Sequence, residues 1–181
     1  DGGDAPVHES ADGFGREYGV AVHHLFESLV SRRKSEITDE FLEQDAVSVL
    51  EAETVGPSRP EHVDAAVRAG KGLITSDLWP RIVASDRVLT EVPFTVSFER
   101  DGVDEVLSGV VDLAFHADGA WMLVDYKTDR HAPETLAVRY GRQVSAYADA
   151  WRAIFPNESV SIAIWSAEHD LLVPIETSRQ A

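Results

Sequence analysis

The run GVVDLAFHADGAWMLVDYKT, residues 109–128, decides the fold. At its centre, Asp118-Gly119 favours a two-residue type I′ turn, with strands expected over 103–116 and 120–128. Counting outward from that turn, Ala117 faces Ala120 and, five pairs on, Asp112 faces Asp125. A second pair, Asp101-Gly102, joins an expected strand over 88–98 to the same central strand and sets Glu91 opposite Asp112. Side chains alternate with period two, so Glu91, Asp112 and Asp125 share a face, and Lys127 joins them one pair further on.

Such a row needs compensation. Like charges directly opposite each other cost up to about 1 kcal/mol in water and far more where solvent is scarce. Leu89, Ala114 and Leu123 on one side, and Pro93 and Val110 on the other, limit solvent on that face. A divalent cation is the natural partner, and oxygen-rich ligation points to Mg²⁺ or Mn²⁺. The plainer alternative is a solvated polar face with a salt bridge from Lys127. The joint register of three acids and a lysine weighs against it.

Composition bounds the rest. A chain of 181 residues, 44% hydrophobic with four Trp and seven Phe, has the means for one domain with a core. No apolar run approaches the ~18 residues of a membrane span and no signal peptide is evident, so a soluble, cytoplasmic protein is expected. The absence of cysteine removes disulfides, thiolate zinc sites and iron–sulfur clusters. A start at Asp1 rather than Met is what a fragment or processed chain would show.

The charge of -16 runs against nucleic-acid binding, because neutralising phosphates normally needs a basic footprint. The basic residues are 13 Arg and three Lys. An acidic, lysine-poor surface fits a halophilic protein in a salt-rich cytoplasm, or else an ordinary acidic domain whose basic partner lies elsewhere in a longer chain. Around the acid row, Arg130, His131, Arg139 and Arg142 form a modest cationic rim that could meet a phosphate backbone.

Along the chain, residues 1–12 are Gly- and Asp-rich and read as a flexible lead-in to a single domain over 13–181. Its first part, 13–80, is helical. Val22, Leu25, Phe26 and Leu29 form a stripe in a helix over 16–33, which also carries His23. Thr38 starts a second helix to about residue 53, and a third covers 61–76, ending near Trp79-Pro80. The second part, 86–178, is α/β. After the meander, Pro133 opens a helix to residue 155, with Leu136, Tyr140, Val144, Tyr147, Trp151 and Ile154 at core-facing spacings. Strands over 160–165 and 171–175 follow, and the strand–helix–strand passage implies a right-handed crossover to a fourth strand parallel to the third. The second face of the meander should carry Val88, Val92, Phe94, Val111, Leu113, Phe115, Met122 and Val124, so helices should cover both sides.

Five short motifs occur in order: Gly19-x-x-Val22-His23, Glu91-Val92-Pro93-Phe94, Gly109-Val110-Val111-Asp112, Asp125-Tyr126-Lys127-Thr128 and Gln143-x-x-x-Tyr147. Together they resemble the nuclease domain of the RecB and AddA helicase–nucleases, within the PD-(D/E)XK superfamily, over roughly residues 16–176. The resemblance implies a restriction-endonuclease-like, three-layer α/β/α core with a mixed sheet and added N-terminal helices. It also implies Mg²⁺- or Mn²⁺-dependent DNA cleavage, exonucleolytic rather than endonucleolytic, in double-strand-break repair and recombination, beside a helicase motor in the same parent chain or on a partner. Carried over by motif, Asp112 and Asp125 would bind metal, with the Tyr126 carbonyl and His23 as further ligands. Lys127 would orient or deprotonate the attacking water and stabilise charge on the phosphate. Glu91, Gln143 and Tyr147 would support the site, Gln143 and Tyr147 lying four apart on one helical face.

Val111 stands where the superfamily's name has proline, and the cysteine cluster of the iron–sulfur branch is absent, which argues against AddB-like relatives. No P-loop precedes Gly70-Lys71, so any motor lies elsewhere. Two other readings stay open: an inactive nuclease fold that guides DNA or scaffolds a helicase, and a metal-dependent enzyme acting on something other than DNA.

Overall fold

A computed structural model describes residues 14–54, 57–100 and 103–176, over 98–100 and 103–105 by backbone alone. The expected lead-in over 1–12 and the Asp101-Gly102 turn fall outside the described residues, although the pair Arg100↔Val103 flanks that turn as the count requires.

Four helices come first: α1 (Arg16–Ser31), α2 (Asp39–Glu53), α3 (Pro60–Thr75) and α4 (Leu78–Ala84). Thr38 caps α2 by accepting from the Phe41 N–H at 3.1 Å, and Pro60 opens α3, where a missing donor costs nothing. The sequence did not announce α4. Trp79-Pro80 reads as a stop, but Pro80 is the third residue of a short helix, where N–H groups have no intrahelical acceptor to lose.

The strands are β1 (Val88–Arg100), β2 (Val103–Ala117), β3 (Ala120–Lys127), β4 (Ser159–Ser166) and β5 (Leu171–Pro174), with α5 (Pro133–Ile154) between β3 and β4. They form one five-stranded sheet in sequence order. β3 and β4 run parallel and the other neighbours antiparallel, the mixed topology the crossover demanded. Asp118 (φ 53°) and Gly119 (φ 77°) both take the left-handed backbone that a type I′ turn needs. One core lies between α1–α4 and Leu113, Phe115, Met122, Val124, Tyr126, Ala163 and Trp165. The other lies between α5 and Ala114, Trp121, Leu123, Ile162 and Ile164. This is the three-layer α/β/α architecture of the restriction-endonuclease-like fold. Ile154, expected inside, is 50% exposed, and Phe155 packs in its stead on Trp121 and Trp151.

One expectation fails in an instructive way. Regular alternation would keep Val88, Val92 and Phe94 on one face with Val111 and Leu113. Instead Val88, Leu113 and Phe115 pack toward α1–α4, while Val92, Phe94 and Val111 pack toward α5. The faces exchange at Glu91, whose φ of 49° rotates the strand, yet the register is the same on both sides, Thr90↔Leu113 and Val92↔Val111. A left-handed residue inside a strand thus turns the ribbon over without inserting a residue.

Candidate active site

The turn-over lies beside the acid row. Glu91 from β1, Asp112 from β2, Asp125 and Lys127 from β3, His23 from α1, and Gln143 and Tyr147 from α5 all line one cleft of about 390 Å³. Asp112, Asp125 and Lys127 are only 8%, 4% and 8% exposed. The β2–β3 ladder runs from Ala117↔Ala120 to Leu113↔Val124, one pair short of the two aspartates. There the Tyr126 N–H donates to Asp112 Oδ2 at 2.6 Å, which fixes the carboxylate on the end of the hairpin. Asp112 Oδ1 lies 3.6 Å from His23 Nδ1. One ligand atom each from His23, Glu91 and Asp112 falls within 4.8 Å of the others, a group that could hold a cation.

Asp125 is placed differently. Its buried Oδ2 is 2.7 Å from Lys127 Nζ, so the ammonium is its near partner. This buried carboxylate, next to a cluster of one imidazole and two carboxylates, completes a donor set suited to a hard divalent cation. The Tyr126 ring is buried against His23 and Phe26. The Gln143 amide donates to the Tyr147 hydroxyl at 2.8 Å, and the Tyr147 ring packs on Phe94.

The charges settle unequally. Desolvation alone would lower the His23 pKa, but the Asp112 carboxylate, by charge and hydrogen bond, carries it above the ordinary value. Burial pushes Asp112 up, yet His23, the Tyr126 N–H and Lys127 together hold it below the usual carboxylate range. Asp125 is raised, first by burial and then by Asp112, with Lys127 offsetting part of the rise. Burial would lower Lys127, but Asp125 and Asp112 keep it above its ordinary value, so it stays a cation. Burial and the Asp112 charge raise Glu91.

Glu91 therefore combines a strained backbone with an unfavourable charge. Replacing it with glycine relieves a left-handed conformation worth about 1–3 kcal/mol, against about 0.5–1 kcal/mol of added chain entropy. Glu91→Gly should gain about 1 kcal/mol in urea unfolding without metal while binding Mn²⁺ more weakly by calorimetry. A variant less stable than its parent would show that the backbone there is unstrained.

None of the expected cationic rim, Arg130, His131, Arg139 and Arg142, lines the cleft. Arg130 turns away, its guanidinium 5.0 Å from the Phe14 ring and 4.0 Å from Glu168. Arg139 lies against Tyr140 and His131, and Arg142 is exposed on α5; neither lines the cleft. Arg16, Gly19, His24, Asp129 and Tyr140 do line it, and the sequence had not marked them as site residues, apart from Gly19 within its motif. Arg16 and Gly19 belong to the first turn of α1, so the N-terminal end of that helix, with its positive partial charge, borders the opening. Gly19 sits close to the end of β3: a Cβ there would lie 3.3 Å from Thr128 Oγ1, a tight contact.

Fold, cleft and motif order together are those of a nuclease-type α/β core, and a family model described as the PD-(D/E)XK nuclease superfamily matches residues 5–180. The chain belongs to that superfamily. Within it the chain is similar to helicase/nuclease subunits of the AddA/RecB type. An ATP-dependent helicase/nuclease subunit from Acetivibrio thermocellus is 32% identical over 149 residues, 74% of this chain and 11% of that protein. Its namesake from Anoxybacillus flavithermus is 34% identical over 101 residues, 53% of this chain and 8% of that one. The one from Geobacillus kaustophilus is 25% identical over 180 residues, 88% and 14%. The chain thus spans 8–14% of the length of these relatives. Among solved structures, "Crystal structure of SSO0001" aligns over 89% of this chain and 65% of that chain at 12% identity and a TM-score of 0.41, too distant to argue from. Among the described residues no helix is long and apolar enough to cross a membrane.

Proposed function

We propose that the chain is a Mg²⁺- or Mn²⁺-dependent deoxyribonuclease, exonucleolytic in mode, that serves as the nuclease part of an AddA/RecB-like helicase–nuclease in double-strand-break repair. The observation that carries this reading is the convergence of Asp112, Asp125, Lys127 and His23, from two strands and a helix, on one cleft. His23, Asp112 and Asp125 would hold the cation, with Glu91 within reach and the Tyr126 carbonyl as a further ligand. When bound, a divalent cation supplies charge neutralisation at the phosphate and makes water a better nucleophile at neutral pH.

The protein's own groups do the rest. The Tyr126 N–H holds Asp112 in one orientation, so that its second oxygen faces His23 and Glu91. Lys127 brings a fixed positive charge to the phosphate, where burial strengthens it over an exposed lysine. Arg16 and the open first turn of α1 attract the phosphate backbone to the mouth. Gln143 and Tyr147 brace the α5 wall, and Arg139 and Arg142, on α5 outside the cleft, make wider contacts with the strand. This local positive field opposes a net charge of -16, which repels DNA at low ionic strength.

The test is cleavage of linear single- and double-stranded DNA with Mg²⁺ or Mn²⁺, from low to molar salt, beside Asp125→Ala and Lys127→Ala. Metal-dependent cutting that persists at high salt and disappears in both variants is the expected result. Folded protein that never cuts either substrate would overturn the reading in favour of an inactive module.

A further inference from the structure

Of three lysines, Lys127 alone is buried, while Lys34 and Lys71 sit in exposed ion pairs with Asp86 and Asp39. Two groups hold the Lys127 ammonium. One is Asp125 Oδ2 at 2.7 Å; the other is the Tyr140 ring, whose centre is 4.7 Å from Nζ. A single carboxylate fixes one direction only, and the ring face supplies a second. An ammonium over an aromatic face is attracted by the ring's negative face, the more so as water is excluded.

The ring is itself held in place. Tyr140 is 8% exposed within the α5 core, and its hydroxyl donates to Asp129 Oδ2 at 2.8 Å. Asp129 follows Lys127 by two residues, so the end of β3 and the first half of α5 grip each other across the ammonium. Tyr140 and Asp129 both line the cleft.

We infer that Tyr140, anchored by Asp129, is a positioning residue for Lys127: it keeps the ammonium aimed into the cleft when Asp125 turns its oxygens elsewhere. The inference rests on the nuclease reading, in which Lys127 meets the phosphate. Tyr140 acts through Lys127 and need not touch DNA.

With three lysines in the chain, a carbon-13 label at lysine Cε gives a spectrum simple enough to read the contact directly. The Lys127 ε-proton signal, identified by its loss in Lys127→Arg, should be shifted upfield by the ring relative to Lys34 and Lys71. Tyr140→Leu should return it to theirs and lower kcat about tenfold with KM unchanged. Tyr140→Phe, which keeps the ring, should retain most of the shift and cleave within about threefold of the parent. A Lys127 signal that stays in place in Tyr140→Leu, or an unchanged kcat there, overturns the proposal. Should Tyr140→Leu fail to fold, Tyr140→Met carries the same test by removing the ring while filling its space, and no change in signal or kcat again overturns it. The spectrum needs neither metal nor DNA. A parent chain that never cuts therefore sinks the nuclease reading, while the signal still decides whether Tyr140 holds Lys127.

Discussion

Asp112→Asn is expected to lower metal-dependent DNA cleavage by about 10³-fold while leaving the fold intact, because it removes a charge and little else. Asparagine keeps an oxygen to accept the Tyr126 N–H, so the end of the hairpin holds. What goes is the anion that faces His23 and Glu91. A second signature follows from the same loss. The Asp112 charge is what lifts His23 above its ordinary pKa against desolvation, so in Asp112→Asn the imidazole should titrate lower than in the parent. Single-turnover cleavage of end-labelled DNA at saturating Mn²⁺, with histidine titration by NMR, checks both. Cleavage within tenfold of the parent would remove Asp112 from the chemistry.

Lys127→Met should cost about 3 kcal/mol of stability without metal, in addition to abolishing cleavage, since breaking a buried ion pair leaves its partner uncompensated. Asp125 is that partner, 4% exposed, and its pKa is already raised by burial. Losing the lysine raises it further. A carboxyl whose folded pKa exceeds its unfolded value binds more protons when folded, so stability falls as pH rises from the unfolded value through the folded one. The deficit of Lys127→Met against the parent should therefore be small at acid pH, where Asp125 is neutral, and full at neutral pH. Urea unfolding across that range measures it, and saturating Mn²⁺ should restore part of the loss. A deficit independent of pH would mean that packing of the lysine stem matters and the charge does not.

Much of the architecture was legible because the Asp118-Gly119 turn leaves one register and the helix between β3 and β4 leaves one way to pair them. That register brought Asp112 and Asp125 to the same end of the hairpin from sequence counting alone. The exchange of faces at Glu91 was not legible, since an apolar alternation shows which residues are buried but carries no sign of a single left-handed residue between them. Val92, Phe94 and Val111 are buried or partly buried as expected, under the other layer. The direction of Arg130 was not legible for a related reason: proximity in sequence to Lys127 does not say which way a long side chain leaves the strand end, and Phe14 and Glu168 engage it outside the cleft. Tyr140 was read as a core residue from its spacing, which is correct, but a ring can be buried on one side and present its face to an ammonium on the other.

The order of strands leaves β1 and β5 as the two open margins of the sheet. β1 is thirteen residues long, a template on which another chain could add a strand, but Pro93 supplies no N–H at its middle and the left-handed Glu91 breaks its flatness two residues earlier. β5 is four residues long and ends on Pro174. Both margins are thus blunted against self-association, and the residue whose twisted backbone guards the longer one is the same glutamate that faces Asp112 and His23.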